Sequence, residues 1–326
     1  MRDNYTTDWV AMQEGSGGPL PGMGPRKRAN VAVADAARSA GDERTAARLD
    51  ACGMMPITAI HRDSGETGVV AMQHCHVRLC PVCEWARARA NYARLARALD
   101  WLEDEGMRYK PLFLTLTARN CRPLEIRAEI AHMGRAWASL SRKRLPSVMR
   151  GYWRAIEVTR NAVTGEYHPH MHVLILAPDT YATPAGEYVP HGEWLRQWQA
   201  ALGVDYRPSV YIERIGGAGA HAAEEHRALL EVCKYSAKAS DIIVGPDELR
   251  AQIWAELSAG IRGVRLVSAG GILRDALRAL RLDDLDALDA PEDMSVQARV
   301  TASPVDWIIL HWRWGASGYV LDRVED

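Results

Sequence analysis

The segment that most constrains the fold is residues 167–176, where three histidines alternate with other residues before an aliphatic run. Side chains at positions i and i+2 of a β-strand point to the same face, so a strand here would project His170 and His172 from one side of a sheet. Two adjacent imidazoles facing the same way form half of a site for a divalent metal ion. The aliphatic residues 173–176 favour a buried strand that holds the pair rigidly. The alternative is a strand end that carries surface histidines.

A second strand is predicted at residues 152–159, joined to the histidine strand by a turn that contains Thr164-Gly165. In a hairpin with this turn at its centre, Glu157 lies opposite His170, and directly opposed residues share a face of the sheet. Glu157 is therefore the candidate third metal ligand. A register slip of one residue would turn it away. His168 is then the alternative, because it alternates in phase with the other histidines.

A helical pattern further along the chain carries Glu231, Tyr235 and Lys238 at positions i, i+4 and i+7, which lie on one helix face. A tyrosine flanked by an acid and an amine, in a chain with a histidine metal site, suggests DNA strand cleavage through a phosphotyrosine. The alternative is a tyrosine that packs on an amphipathic helix.

The cysteines indicate a second metal site. Cys80 and Cys83 form a C-x2-C knuckle of the kind found in zinc sites. Thiolates suit tetrahedral Zn²⁺, and a closed four-thiolate site is structural. His74 and His76 compete for the fourth place, and reduced buried cysteines without metal are the alternative to any zinc site. The predicted ligands of the structural zinc are Cys52, Cys75, Cys80 and Cys83.

Composition limits the classes of function. The chain has 326 residues, 48% of them hydrophobic, and a formal net charge of -1, so any nucleic-acid surface must be a local patch. No secretory signal is seen, and no segment approaches the roughly 20 apolar residues that span a bilayer. We therefore expect a cytoplasmic protein without membrane contact.

Three motifs in order carry a resemblance to a known family: Phe113-Leu114-Thr115-Leu116-Thr117, then His168-Pro169-His170-Met171-His172, then residues 231–238, with the cysteines ahead of the first. This ordered set resembles the replication initiator (Rep) proteins of rolling-circle plasmids, of the Rep_1 type, in the HUH endonuclease superfamily. The resemblance covers about residues 50–280 of this chain.

The predicted fold class is α+β with a largely antiparallel central sheet, because strands interleave with long helices. The resemblance implies an HUH-type palm flanked by helices, with an N-terminal Cys-rich zinc-binding element. We expect four segments. Residues 1–50 form an arm that is flexible or partly helical, and this arm holds the basic run Arg26-Lys27-Arg28. Residues 51–105 form a zinc element and a basic helix, and residues 106–245 form a nuclease core. Residues 246–326 form a helical region with a Trp-rich tail. Packing is favoured over base stacking for that tail.

The resemblance also implies a mechanism. Tyr235 would attack a phosphodiester of single-stranded or hairpin-extruded origin DNA, forming a 5′-phosphotyrosyl link and freeing a 3′-OH that primes synthesis. Glu231 would activate water for a second cleavage, and Lys238 would stabilise negative charge. Mn²⁺ or Mg²⁺ would be the catalytic ion. The implied partners are a host helicase and polymerase. Whether the protein forms a homodimer is left open by the sequence.

Basic side chains near the knuckle and after the helix at 123–141 are candidates for DNA binding, with a solvated surface as the alternative. They are Arg78, Arg87, Arg89, Arg142, Lys143 and Arg144.

Three other functions stay open. An HUH transposase would use the same chemistry, whereas a relaxase usually places its tyrosine before the histidines. A non-catalytic zinc-containing DNA-binding regulator would bind DNA without cutting it. A metallohydrolase would cut DNA without a covalent intermediate.

Overall fold

A computed structural model describes residues 22–61, 67–184, 186–215, 229, 232–233, 239–288 and 305–325. The chain divides into two compact units. The first, which we call the cysteine unit, draws on residues 1–86, 238–255 and 288–326. The second, the histidine unit, draws on residues 87–237 and 256–287.

Helices and strands follow one another along the whole described chain. The helices are α1 (Met23–Ser39), α2 (Glu43–Ala51), α3 (Pro81–Asp104), α4 (Ile126–Ser139), α5 (His191–Leu202), α6 (Ala239–Ile242), α7 (Asp247–Ile261) and α8 (Gly271–Ala279). The strands are β1 (Ile57–His61), β2 (Thr67–Ala71), β3 (Tyr109–Thr117), β4 (Gly151–Arg160), β5 (Tyr167–Pro178), β6 (Val210–Arg214), β7 (Val267–Gly270), β8 (Val305–Arg313) and β9 (Gly318–Glu325). None of the described helices is long and apolar enough to cross a membrane.

The cysteine unit contains a four-stranded antiparallel sheet in the order β2-β1-β8-β9. Strand β8 brings the C-terminal segment beside β1, which lies near the start of the chain. Trp312 and Tyr319 are buried with ring centroids 5.1 Å apart, so these two aromatic residues of the tail pack within the unit. The region after residue 246 is thus not simply helical, because aromatic and β-branched residues favour strands in its tail.

The N-terminal basic run lies in a helix and not in a flexible arm. Helix α1 begins at Met23, and Lys27 is completely buried. Its Nζ donates hydrogen bonds to the carbonyl oxygens of Asp50, at 2.7 Å, and Cys52, at 2.6 Å. A buried ammonium needs such acceptors, since burial without hydrogen bonds is costly. Lys27 is therefore a structural residue of this unit.

The histidine unit contains a five-stranded antiparallel sheet in the order β6-β3-β5-β4-β7. One face packs against α4, whose Trp137 meets Tyr152 of β4 edge to face at a centroid distance of 5.0 Å. The apolar side of α4 and the residue that follows it belong to the core, since Ile126, Ile130, Met133, Trp137 and Leu140 are all buried. The α+β fold class with antiparallel sheets flanked by helices is likewise confirmed.

Strand β7 was not expected from the sequence, which predicts only a break at Gly270-Gly271 between two helices. In the structure, residues 267–270 pair with β4, and Gly270 lies opposite Tyr152. A Cβ at Gly270 would lie 2.3 Å from the Tyr152 ring, so the close approach of the two strands requires glycine there. Gly271 then starts α8 with a φ of 59°, a conformation that glycine adopts without strain.

Candidate metal centre and nucleic-acid site

The turn between β4 and β5 sets the register of the hairpin. The side-chain Oδ1 of Asn161 accepts hydrogen bonds from the backbone N–H groups of Val163, at 2.9 Å, and Thr164, at 3.1 Å. Gly165 closes the turn with a φ of 72°. With this turn in place, Glu157 lies directly opposite His170, in the register that the sequence predicts.

Three ligand atoms converge on this face of the sheet. One carboxylate oxygen of Glu157 lies 3.1 Å from Nε2 of His170 and 3.5 Å from Nε2 of His172. Glu157 and His172 are buried, and His170 is half-buried. A carboxylate and two imidazoles at such separations could hold a divalent metal ion.

Both imidazoles are oriented by bonds from their other ring nitrogens. Nδ1 of His170 lies 3.2 Å from the carbonyl oxygen of His168, to which it can donate. Nδ1 of His172 lies 3.1 Å from Oγ1 of Thr115, and the Phe113 ring stacks on the same imidazole at 5.8 Å. Partners of this kind fix the tautomer and the ring direction in metal sites. With Nδ1 engaged in this way, the Nε2 atoms of His170 and His172 both face the Glu157 carboxylate.

The environment of His172 provides a test of whether a metal ion fits. Its Nε2 is buried and makes no hydrogen bond to any residue that the structure describes. An unsatisfied buried polar atom is costly, and a metal ion coordinated at that nitrogen would remove the cost. The donor set therefore fits a divalent cation at this position.

His168, the alternative third ligand, projects from the same strand face but is not part of the converging group. Its ring centroid lies 5.6 Å from that of His170. Burial lowers the pKa of His168 from its ordinary value, and the nearby His170 lowers it further. The structure thus brings Glu157, rather than His168, together with the two histidines.

A short part of the third motif lies over the same face of the sheet. Trp153 projects from β4 on the side of Glu157, and its indole Nε1 donates to the carbonyl oxygen of Val232 at 3.1 Å. Cys233 is completely buried, which raises the pKa of its thiol. Glu231, Tyr235 and Lys238 lie outside the described residues.

The four predicted zinc ligands come together in the cysteine unit. Their Sγ atoms lie within 4.8 Å of one another, including pairs at 3.5 Å and 3.6 Å from Cys52 to Cys80 and Cys83. The backbone N–H of Cys83 also points at Sγ of Cys80, at 3.4 Å. Four buried sulfurs at these separations could enclose one tetrahedral metal ion.

Two buried polar residues of α1 support this cluster, and the sequence did not indicate either. Oδ1 of Asn30 accepts a hydrogen bond from Sγ of Cys80 at 3.0 Å, while Nζ of Lys27 is bonded to the Cys52 carbonyl oxygen. Burial lowers the pKa of the Lys27 amine, and the neighbouring Cys52 and Cys80 oppose that shift. Hydrogen bonds from Cys52, Cys75 and Cys80 lower the pKa of the Cys83 thiol, whereas burial raises the pKa of the Cys80 thiol.

The histidines that competed for the fourth zinc position lie outside the sulfur cluster. Nδ1 of His74 is 3.8 Å from Sγ of Cys83, which makes it a neighbour of a predicted ligand. His76 is exposed, with a backbone φ of 56°. Cys52 is the fourth member of the group.

The basic side chains differ in their access to solvent. Arg142, Lys143 and Arg144 are exposed in a π-helical turn after α4, and Arg89 is also exposed. Arg78 is half-buried, whereas Arg87 is only 3% exposed and so does not present its guanidinium at the surface. DNA binding by the exposed members stays a prediction, and Arg87 is unsuited to that role.

The bond from Thr115 to His172 leads to a testable expectation. Thr115→Val should weaken Mn²⁺ binding, measured by titration calorimetry, by about 10- to 100-fold, because partners of this kind orient the ligand. Thr117→Val is the matched control, since the Thr117 hydroxyl bonds the backbone of Ser209 and no histidine. Equal affinity of the Thr115→Val protein and the wild type would show that Thr115 does not orient His172.

Comparisons with known proteins place the chain in a family. A family model described as replication protein, Rep_1, matches residues 67–320. The chain therefore belongs to the Rep_1 family of replication proteins, which confirms the resemblance to plasmid replication initiators carried by the three motifs.

Individual relatives cover most of the chain. A "Protein rep" of Lentilactobacillus hilgardii is 33% identical over 246 residues, which are 75% of this chain and 78% of the relative. A "Protein rep" of Lactiplantibacillus plantarum is 29% identical over 254 residues, 76% of this chain and 79% of the relative. A third "Protein rep", of Streptococcus pneumoniae, is 29% identical over 286 residues, which are 85% of this chain and 87% of the relative. No solved structure shows significant similarity.

Proposed function

We propose that this protein initiates rolling-circle replication of a plasmid by nicking one strand at the origin, with Tyr235 as the nucleophile. The observation that carries the proposal is the convergence of Glu157, His170 and His172 on one face of the sheet in a member of a replication protein family. A divalent ion held by these residues would polarise and orient a scissile phosphodiester.

The position of the third motif supports the nucleophile. Val232 is hydrogen bonded to Trp153, which stands on the same sheet face as Glu157. In the sequence, Tyr235 follows the buried Cys233 by two positions. The described part of the third motif is therefore anchored on the face that carries the metal ligands, which supports the choice of this motif as the source of the nucleophile.

The chemistry requires both activation and charge stabilisation. A tyrosine with a reference pKa of about 10 is a poor nucleophile at neutral pH. When bound, a divalent ion supplies Lewis-acid polarisation of the scissile phosphate, and the two imidazoles favour Mn²⁺ over Mg²⁺. Within the protein, Thr115 and the His168 carbonyl oxygen hold the imidazoles, and Lys238 stabilises negative charge near the reacting oxygens.

The proposed step is a transesterification. The Tyr235 oxygen loses its proton and bonds to phosphorus, while the bond from phosphorus to the 3′ oxygen breaks. The departing 3′ oxygen takes a proton and becomes the 3′-OH that primes synthesis, and the protein keeps a 5′-phosphotyrosyl link. Glu231 then activates a water for the second cleavage that ends the round. A host helicase and polymerase act on the nicked plasmid.

The test uses labelled single-stranded origin DNA with Mn²⁺ and denaturing electrophoresis. The wild type should yield a cut strand and a protein–DNA adduct, whereas Tyr235→Phe should yield neither, because the phenylalanine lacks the attacking oxygen. Tyr188→Phe is the control, since Tyr188 is an exposed tyrosine in the loop after the far end of β5. Cutting without an adduct would indicate a hydrolase, and binding without cutting would indicate a regulator.

A further inference from the structure

An exposed aromatic side chain stands beside the metal centre on the same face of the sheet. Strand β6 pairs Tyr211 with Thr115, and β5 pairs His172 with Thr115. Directly opposed residues of antiparallel strands share a face, so Tyr211 and His172 lie in one row across the sheet. Tyr211 is 54% exposed, although Val210 at the start of the strand and Ile215 just after its end are buried. An exposed aromatic ring in this row is placed where a base of a single-stranded nucleic acid could stack on it.

The separation suits a nucleic-acid substrate. One strand, β3, lies between β6 and β5, so Tyr211 and His172 are about 10 Å apart at the usual spacing of strands. A stacked nucleic-acid strand advances about 3.4 Å per nucleotide, and an extended strand advances further. A base within about three nucleotides of a phosphate at the metal centre therefore reaches the Tyr211 ring.

The Tyr211 ring is held in place by its neighbour. Its hydroxyl donates a hydrogen bond to a carboxylate oxygen of Glu213 at 2.5 Å. This bond raises the pKa of Tyr211 above its ordinary value, and burial adds to the shift. A hydroxyl that stays protonated and engaged is unsuited to attack on phosphorus. The ring, in contrast, is exposed to solvent.

A guanidinium follows the end of β3, the strand that lies between Tyr211 and His172. Arg119 follows β3 two residues after Thr117, which pairs with His170. Its guanidinium carbon lies 4.3 Å from the ring centroid of Tyr206, and its backbone N–H donates to the Tyr206 hydroxyl at 3.0 Å. The loop that carries Tyr206 is fixed to the same strand, because Ser209 and Thr117 exchange backbone and side-chain hydrogen bonds.

The Tyr206 ring and the loop that carries it hold the exposed guanidinium of Arg119 near the end of β3. The Arg119 side chain is exposed, and stacking on an aromatic ring keeps its nitrogens free to bond phosphate oxygens. Since the net charge of the chain is only -1, a phosphate contact must come from local groups of this kind.

We propose that Tyr211, Tyr206 and Arg119 form a strip that binds single-stranded DNA beside the metal centre. One base of the substrate stacks on Tyr211, and a phosphate bonds to Arg119 over the Tyr206 ring. The proposal rests on the proposed function, because it assigns contacts to the strand that the metal centre would cut. Stacking on aromatic rings tolerates any base, so the strip sets affinity and position rather than sequence.

The first test measures the affinity for a fluorescein-labelled thymidine oligonucleotide by fluorescence anisotropy. Tyr211→Ala should weaken binding about tenfold or more, the loss typical of one stacked base. Tyr211→Phe keeps the ring but loses the bond to Glu213, so its affinity should lie much closer to that of the wild type than to that of Tyr211→Ala. Tyr188→Ala removes an exposed tyrosine elsewhere in the same unit and should also leave binding unchanged.

The second test separates stacking from charge through the dependence of affinity on salt. Arg119→Ala should reduce the slope of log affinity against log salt by about 0.7, the value for one phosphate contact on a single strand. Tyr211→Ala should leave the slope as it is in the wild type. The strip would be overturned if Tyr211→Ala bound with wild-type affinity, or if Tyr211→Phe and Tyr211→Ala lost affinity equally. An unchanged salt slope in Arg119→Ala would also overturn it.

These measurements do not depend on cutting, so the strip and the proposed function fail in different ways. Normal single-strand binding in a wild type that never forms a DNA adduct would contradict the nicking mechanism and leave the strip standing. If the wild type forms the adduct and the Tyr211→Ala protein binds the oligonucleotide with normal affinity, the results would support nicking and overturn the strip.

Discussion

Replacement of His170 by alanine is expected to reduce nicking of origin DNA about 1000-fold or more. The residue supplies one of three converging ligand atoms, and its Nε2 lies 3.1 Å from the Glu157 carboxylate. Stabilisation of transition-state charge by a bound metal ion amounts to several kcal/mol, and each 1.36 kcal/mol changes a rate tenfold. The measurement is the initial rate of strand cleavage under saturating Mn²⁺, with circular dichroism to verify that the variant folds.

Two further variants identify the third ligand. Glu157→Gln should lose nicking to a similar extent, because the amide keeps the shape of the side chain but lacks the negative charge. His168→Ala is the matched control on the same strand face, and its activity should stay close to that of the wild type. The opposite pattern, a large loss in His168→Ala and near-normal activity in Glu157→Gln, would transfer the ligand role to His168.

The second large effect is expected in the cysteine unit. Cys83→Ser should abolish binding of zinc and remove the cooperative thermal unfolding of this unit, because Sγ of Cys83 lies 3.6 Å from that of Cys52 and 3.7 Å from that of Cys75. Structural Zn²⁺ contributes roughly 10–16 kcal/mol in zinc-finger peptides, as much as the whole stability of a typical domain. The measurements are metal content by mass spectrometry and unfolding by calorimetry.

Cys121→Ser is the control for this experiment. Cys121 is a buried cysteine of the histidine unit and is not a member of the sulfur cluster. Its replacement should leave one zinc ion per chain and a modest loss of stability that reflects one buried polar substitution. Retention of one zinc ion and wild-type unfolding by Cys83→Ser would contradict the four-thiolate site.

Local sequence patterns predicted the two clusters well for a physical reason. The register of the β4–β5 hairpin depends on a short turn, whose Asn161 and Gly165 are visible in the sequence, so the position of Glu157 opposite His170 followed. The cysteine knuckle is similarly local, and Cys52 followed from the need for a fourth thiolate.

Features that depend on distant pairing were not predicted. Strand β8 pairs with β1, from the other end of the chain, and β7 is recognisable only once β4 lies beside it. Lys27 was predicted as part of a basic arm, because a run of charges gives no indication that one ammonium is surrounded by carbonyl oxygens. Tyr211 shares a face with His172 only through a third strand, so no spacing in the sequence reveals it.

In the proposed reaction, Tyr235 becomes linked to the 5′ end of the cut strand. The most direct measurement is digestion of the covalent adduct with protease and nuclease, followed by mass spectrometry of the peptide that carries the nucleotide. We expect one modified peptide, with the phosphodiester remnant on Tyr235 and none on Tyr211. A remnant on Tyr211 or any other residue, or a cut strand with no modified peptide, would contradict it.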